Sequence, residues 1–182
     1  IFFSARESTA KENLVALSQA IADLRLDGTP VASDTAAPVF ANFEEAFTHV
    51  FTLAQQQRIV LVIDEFPYLV QSDRSVSSVL QHLIDRRKEN SRLFLILCGS
   101  SMSFMEHQVL GYKSPLYGRR TAQIRLKPMR FSEMASGFPE YGFSDLVDLF
   151  ALTGGVPKYF EFFEPIDRFE ECVKENVFST SG

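Results

Sequence analysis

The chain has 182 residues, of which 46% are hydrophobic and 23% are charged, and its formal net charge is −5. This length and composition are those of a soluble globular protein with one domain, or one domain and a small appendage. Because it has no apolar run of transmembrane length and no signal segment, membrane insertion and secretion are not expected, and its acidity argues against nucleic-acid binding.

The first third of the chain predicts one strand and two helices. Residues 1–4 are apolar and predict the end of a buried strand. A capping box opens a helix over about residues 10–24, and its apolar side chains recur at helical spacing. Proline, glycine and small polar residues mark residues 27–42 as a loop. A second capped helix follows over residues 43–56, so the order is typical of an α/β protein.

The central motif is a strand that ends in two acids. Residues 59–63 are apolar and lead directly into Asp64 and Glu65. Such a run is typical of a parallel strand that is buried on both faces, and ligands bind at the carboxyl edge of parallel sheets. Two carboxylates there favour a Mg²⁺ ion, which would neutralise them. This is the form of a Walker B motif, in which one acid helps to hold Mg²⁺ and the other orients the attacking water. A polar loop start is the alternative.

A second buried strand is predicted at residues 93–98, after a helix over about residues 74–89. Ser100 follows this strand closely, so its hydroxyl could hydrogen-bond a terminal phosphate or the attacking water. The alternative is that a serine here caps a helix over residues 102–109. Both interpretations stay open.

Two adjacent arginines, Arg119 and Arg120, precede a fourth predicted strand. Residues 121–126 alternate polar and apolar side chains, as a less buried strand does. An arginine at this position could reach a γ-phosphate in the same or a neighbouring subunit. A solvated loop charge is the alternative.

The last third of the chain is predicted to be helical. We expect helices over about residues 131–135, from Ser144 as the cap through residue 152, and over about residues 167–178. A glycine pair at residues 154–155 ends the middle helix, and Pro157 begins a further one.

Four segments follow one another along the chain: VLVIDEFPYLV, LFLILCGSSMSFM, SPLYGRRTAQIRL and TGGVPKYFE. In this order they resemble the archaeal-type ATPase family, whose relatives are the AAA+ and STAND P-loop NTPases. The resemblance covers nearly the whole chain. It implies an α/β fold with a parallel sheet of the P-loop NTPase (ASCE) type, strand order 5-1-4-3-2, covered by helices and followed by a helical lid. Residues 1–128 would be a partial ATPase core and residues 129–182 the lid, truncated at its carboxyl end.

The resemblance also implies roles for residues at the predicted sheet edge. Asp64 would be the Walker B acid that holds Mg²⁺, and Glu65 would be the catalytic glutamate. Ser100 would be the polar residue of the sensor-1 type. The implied cofactors of the intact parent protein are ATP and Mg²⁺.

Further implied roles lie in the second half of the chain. Arg119 or Arg120 would be an arginine finger, and the sequence does not decide between them. Gly155 and Pro157 resemble the lid motif that packs near the nucleotide base.

The sequence departs from the family pattern in one large respect. The first strand and its G-x-x-x-x-G-K-[ST] loop are expected before Ile1, and the 182 residues contain no such motif. The backbone cradle and the lysine for the phosphates are therefore missing, so we expect this chain alone to bind ATP weakly or not at all. The missing strand would leave a slot between residues 93–98 and residues 121–126. Exposed sheet edges leave homo-oligomerisation or pairing with an unknown protein partner open.

The sequence thus predicts a fragment of a Mg²⁺-dependent, ATP-binding P-loop ATPase, inactive alone, whose intact parent is a regulatory or signalling switch. A cytoplasmic location fits two cysteines that form no disulfide pattern. The alternative is a nucleotide-independent interaction module that has lost the phosphate loop, and the presence of both Asp64 and Glu65 argues against it. A DNA-associated ATPase is a third possibility that the acidic charge disfavours.

Overall fold

A computed structural model describes residues 1–26, 29–30, 40–87, 89–109, 111–163 and 169–178. The chain forms two compact units, Ile1–Ala122 and Gln123–Gly182. Among the described residues, none of the helices combines the length and the apolar character needed to cross a membrane.

The first unit contains five strands and five α-helices within its described residues. In chain order these are β1 (Phe2–Ser4), α1 (Ala10–Ala22), β2 (Arg25–Leu26), β3 (Thr29–Pro30), α2 (Phe43–Gln56), β4 (Ile59–Asp64), α3 (Phe66–Ser72), α4 (Val76–Arg87), β5 (Leu93–Leu97) and α5 (Met102–Phe104). A π-helical segment, Met105–Val109, continues α5.

The sheet of the first unit is parallel, with strand order β1-β4-β5. Ser4 on β1 lies opposite Asp64, and Leu97 on β5 lies opposite Ile63, so the three strands end at one edge. The predicted α/β fold with a parallel sheet and helices is confirmed. The strand order also agrees with the 4-3-2 part of the order that the family resemblance implies.

One face of this sheet forms the core of the first unit. The inward side chains of β1 and β4 pack with buried side chains of α1, α2 and α4. The least exposed residues of this core include Phe3, Leu17, Phe47, Val50, Leu61, Ile63 and Leu80. The predicted caps are present: Glu12 completes the capping box of α1, and Asn42 Oδ1 accepts from Glu45 N at 2.8 Å. Local capping signals therefore position both helices against the sheet.

The prediction that β4 and β5 are buried on both faces is wrong. On one face the alternate side chains reach solvent, and Val60 of β4 and Phe94 of β5 are 42% and 49% exposed. Val60 and Ile96 are exposed on the same side of the sheet. The apolar sequence allows burial on both faces, but in the described part of the chain helices cover only one of them.

The prediction of a strand over residues 121–126 is also wrong. Residues 122–130 have no regular secondary structure, and Ile124 and Leu126 are 84% and 91% exposed. An isolated extended segment gains no ladder of hydrogen bonds, because a strand needs a neighbour. Among the described strands, β5 pairs with β4 alone, so this segment has no partner there.

Two further predictions need correction near loops. The predicted loop at residues 27–42 contains part of a short antiparallel hairpin of β2 and β3, while residues 27–28 and 31–39 lie outside the described residues. Helix α4 begins at Val76, not at residue 74, because Asp73 Oδ1 accepts from Ser75 N at 2.8 Å and holds a turn before the helix.

The second unit is helical, as predicted, and has its own small core. Its helices are α6 (Phe131–Ser136), α7 (Phe143–Thr153), α8 (Pro157–Phe160), which continues as a 3₁₀ turn over Glu161–Phe163, and α9 (Phe169–Val177). Residues 164–168 lie outside the described residues. The cap of α7 is Gly142, and the predicted cap, Ser144, lies inside the helix. The core of this unit consists of Met134, Leu149, Phe160, Phe163 and Cys172.

Candidate functional site

Asp64 ends β4, between the ends of its two neighbouring strands. Its Oδ1 accepts from Glu65 N at 3.0 Å and from Cys98 Sγ at 3.4 Å, and its Oδ2 accepts from Ser4 Oγ at 3.4 Å. Ser4 ends β1 and Cys98 follows β5. The partly buried carboxylate is therefore approached by donors from both sides and from the chain that follows it.

Glu65 has a left-handed backbone conformation, with φ 49° and ψ 43°. Among the described residues it is the one non-glycine residue with positive φ. The turn is held by Phe66 N, which donates to Cys98 O at 2.9 Å, and by Tyr68 N, which donates to Glu65 O at 2.9 Å. Left-handed geometry costs a residue with a Cβ about 1 kcal/mol, and such strain is concentrated at functional sites.

Ser100 lies beside this turn. Glu65 Oε2 accepts from Ser100 N at 3.5 Å and from Ser100 Oγ at 3.4 Å. The N-cap of α5 is Ser101, whose side chain makes no capping hydrogen bond. Ser100 thus contacts Glu65, and its hydrogen bond to a terminal phosphate or to the attacking water stays a prediction.

Gly99 allows this close approach of the two loops. A Cβ at Gly99 would lie 2.5 Å from Cδ of Pro67, at the start of α3. A side chain there would clash with a rigid proline ring, so glycine is required where the end of β5 meets the segment after Asp64 and Glu65.

Cys98 is partly buried and contacts the Asp64 carboxylate through its thiol. Burial, together with the hydrogen bond to Asp64 and the charges of Asp64 and Glu65, raises the pKa of its thiol to about 11. The thiol is therefore protonated at neutral pH and donates to Asp64.

The two arginines differ. Arg119 forms a bidentate pair with Asp85 of α4, with Nε to Oδ1 at 2.8 Å and Nη2 to Oδ2 at 2.7 Å, and its Nη1 donates to the carbonyls of Pro115 and Tyr117. The hydrogen bond from Arg119 to Asp85 raises the pKa of the guanidinium. Arg119 thus fastens its loop to α4, whereas Arg120 is exposed.

Gly155 and Pro157 lie in the second unit. Gly155 has φ 75°, its carbonyl accepts from Met129 N at 2.8 Å, and a Cβ there would lie 2.3 Å from Met129 O. Pro157 is the exposed first residue of α8. Both residues have a structural role within this unit, and their contact with a nucleotide base stays a prediction.

The sequence matches the profile of the ATPase domain found predominantly in Archaea, over residues 1–163. The chain belongs to the archaeal-type P-loop ATPase family. The family resemblance drawn from four sequence motifs is thereby confirmed.

Three individual proteins are similar to this chain, over between 38% and 96% of its length. An uncharacterized protein of Methanocaldococcus jannaschii is 39% identical over 102 residues, which are 56% of this chain and 23% of that protein. A second uncharacterized protein of that organism is 32% identical over 74 residues, which are 38% of this chain and 72% of that protein. A Walker-type ATPase of Pyrococcus abyssi has a similar fold, with a TM-score of 0.64 at 20% identity over 96% of this chain and 58% of its own.

The site of this archaeal-type ATPase domain suits a Mg²⁺ ion with few protein ligands. The Asp64 carboxylate offers oxygen ligands, which Mg²⁺ prefers, and the Ser4 hydroxyl donates a hydrogen bond to it. Within the described residues no group of three or more His, Cys, Asp or Glu side chains could hold a metal. Such a site fits Mg²⁺ only together with phosphate oxygens and water, which is the usual pattern at nucleotide sites.

Sequence reasoning missed Ser4, Cys98 and Gly99. The first two end or follow the strands beside β4, so the carboxyl-edge argument that selected Asp64 also applies to them. Their contact with Asp64 depends on the strand register, which short apolar strands do not reveal.

Proposed function

We propose that this chain is part of an ATP-binding, Mg²⁺-dependent ATPase that works as a regulatory or signalling switch. Residues 1–128 would be the partial nucleotide core and residues 129–182 the helical lid. The observation that supports this most is the meeting of Asp64, Glu65 and Ser100 at the carboxyl edge of the parallel sheet, with Glu65 in a strained backbone conformation. The switch role rests on the resemblance to STAND relatives, in which slow hydrolysis changes conformation.

Each residue has a distinct proposed role. Asp64 would hold Mg²⁺, which neutralises phosphate charge when bound. Glu65 would accept a hydrogen bond from the attacking water and orient it, and the hydroxyl of Ser100 would donate to that water or to the γ-phosphate. In the structure that hydroxyl donates to Glu65, so it would exchange one oxygen acceptor for another.

The remaining proposed roles belong to the arginines and the lid. Arg120 would be the finger that neutralises the γ-phosphate, because Arg119 already has an ionic partner in Asp85. Arg119 would position the loop that carries Arg120. Gly155 and Pro157 would form the lid motif beside the nucleotide base.

The 182 residues lack a phosphate-binding loop, and this leads to the first prediction. The chain alone should bind Mg-ATP weakly or not at all, because the amide cradle and the lysine that hold the β and γ phosphates are absent. Isothermal titration calorimetry measures this directly. A micromolar dissociation constant would contradict this prediction.

The second prediction concerns Glu65→Gln in the full-length gene product. Glutamine keeps the shape of the side chain and removes the charge that orients the water, so ATP should stay bound and turnover should fall by about a hundredfold or more. Phosphate release and retained radiolabelled ATP measure the two effects. Glu140→Gln, in an exposed turn, is the matched control and should behave as the unmodified protein does.

A second candidate function is a nucleotide-independent interaction module. The missing phosphate loop and the pairing of Arg119 with Asp85 favour it. In such a module Glu65→Gln would change neither nucleotide retention nor partner binding, so the same experiment separates the two functions.

A further inference from the structure

We propose that Ser4 and Cys98 are positioning residues that hold the Asp64 carboxylate from the two strands beside it. This inference rests on the proposed function, in which Asp64 binds Mg²⁺. It adds two side chains from different strands to the one acid that the motif identifies.

The strand register brings Ser4 to Asp64. The two residues are direct neighbours across the β1 and β4 pairing, and Ala5 N donates to Asp64 O at 2.9 Å. This backbone bond fixes the end of β1 against the end of β4. Ser4 Oγ then lies 3.4 Å from Asp64 Oδ2, which is long for a hydroxyl bond and leaves room for the bond to shorten when a cation orders the carboxylate.

Cys98 is held equally firmly on the other side. Its N donates to Ile63 O at 3.1 Å, and its carbonyl accepts from Phe66 N at 2.9 Å. The thiol has one proton and two acceptors within reach, Ile63 O at 3.7 Å and Asp64 Oδ1 at 3.4 Å. The carboxylate is both nearer and charged, so the thiol donates to Asp64.

Three donors therefore surround one carboxylate. Glu65 N and Cys98 Sγ bind Oδ1, and Ser4 Oγ binds Oδ2. Hydrogen-bond donors on both oxygens restrict rotation of the carboxylate. The lone pairs that accept no hydrogen bond then point in a fixed direction, from which a cation can bind. Loss of such supporting bonds lowers metal affinity by about 10-fold to 100-fold in other proteins.

The test measures metal binding in the full-length gene product with a non-hydrolysable ATP analogue. Mn²⁺ replaces Mg²⁺, and electron paramagnetic resonance gives the dissociation constant. We expect Ser4→Ala and Cys98→Ala each to weaken Mn²⁺ binding by about tenfold, with thermal unfolding unchanged. The variants Ser4→Thr and Cys98→Ser keep a donor and should restore most of the affinity. Ser101→Ala is the control, because that side chain makes no capping bond.

Three other outcomes overturn the inference. If Asp64→Ala weakens Mn²⁺ binding while Ser4→Ala and Cys98→Ala do not, the proposed function stands and the positioning role is wrong. If the alanine variants lose affinity only in proportion to lost thermal stability, or the conservative variants fail to restore it, the two residues are structural only. If Asp64→Ala itself has no effect, the proposed function fails and the inference fails with it.

Discussion

The backbone of Glu65 links the strand that carries Asp64 to helix α3. A left-handed turn lets the chain leave β4 and immediately begin α3, and it directs the carboxylate toward Ser100. The left-handed conformation costs free energy in a residue with a Cβ, so removal of the Cβ at this position should change the free energy of unfolding.

The third prediction compares Glu65→Gly with Glu65→Ala. Both variants remove the carboxylate, but only alanine keeps the Cβ that disfavours φ 49°. The glycine variant should therefore be more stable by about 1 kcal/mol. Urea denaturation gives the free energy of unfolding. At ordinary positions the alanine variant is the more stable of the two. A more stable alanine variant at position 65 would therefore contradict a left-handed Glu65.

At the scale of single residues, sequence reasoning selected the two acids but not the side chains that contact Asp64. Asp64 and Glu65 follow an apolar run, and this local pattern was sufficient to select them. The contacts of Ser4 and Cys98 with Asp64 follow from the register of three strands, which is set by tertiary packing. A local pattern cannot encode such contacts.

At the scale of elements, helices were predictable and strand environments were not. The predicted ends of α1 and α2 agree with the structure to within two residues, because capping and helical periodicity are local signals. Burial of β5 and formation of a strand at residues 121–126 depend on neighbouring elements. In the described part of the chain those neighbours are absent, so both predictions failed.

The fourth prediction concerns the glycine pair after α7. Gly154 and Gly155 both have positive φ, but a Cβ at Gly154 meets no atom within 4 Å, whereas one at Gly155 meets Met129 O at 2.3 Å. Gly154→Ala should cost about 1 kcal/mol of stability, and Gly155→Ala should cost about 2 kcal/mol more because the backbone must move. Chemical denaturation of both variants measures the difference. Equal losses would show that Met129 does not pack closely against Gly155.

At the scale of the whole molecule, the proposed nucleotide site needs phosphate-binding groups that these 182 residues do not contain. The family assignment and the parallel sheet agree with an ATPase core, and the sequence within these 182 residues has no phosphate-binding loop. The chain spans 23% of the length of the first Methanocaldococcus relative and 58% of the Pyrococcus ATPase chain. The proposed activity depends on Asp64 and Glu65, and the full-length gene product is the protein in which to measure it.

The most direct test of the central claim is a crystal structure of the full-length gene product with Mn²⁺ and a non-hydrolysable ATP analogue. Anomalous scattering locates the metal. We expect a metal peak beside the Asp64 carboxylate, with the ion bound to it directly at about 2 Å or through one water, and with Glu65 facing the γ-phosphate. A metal and nucleotide bound elsewhere, with Asp64 and Glu65 unchanged and solvated, would contradict it.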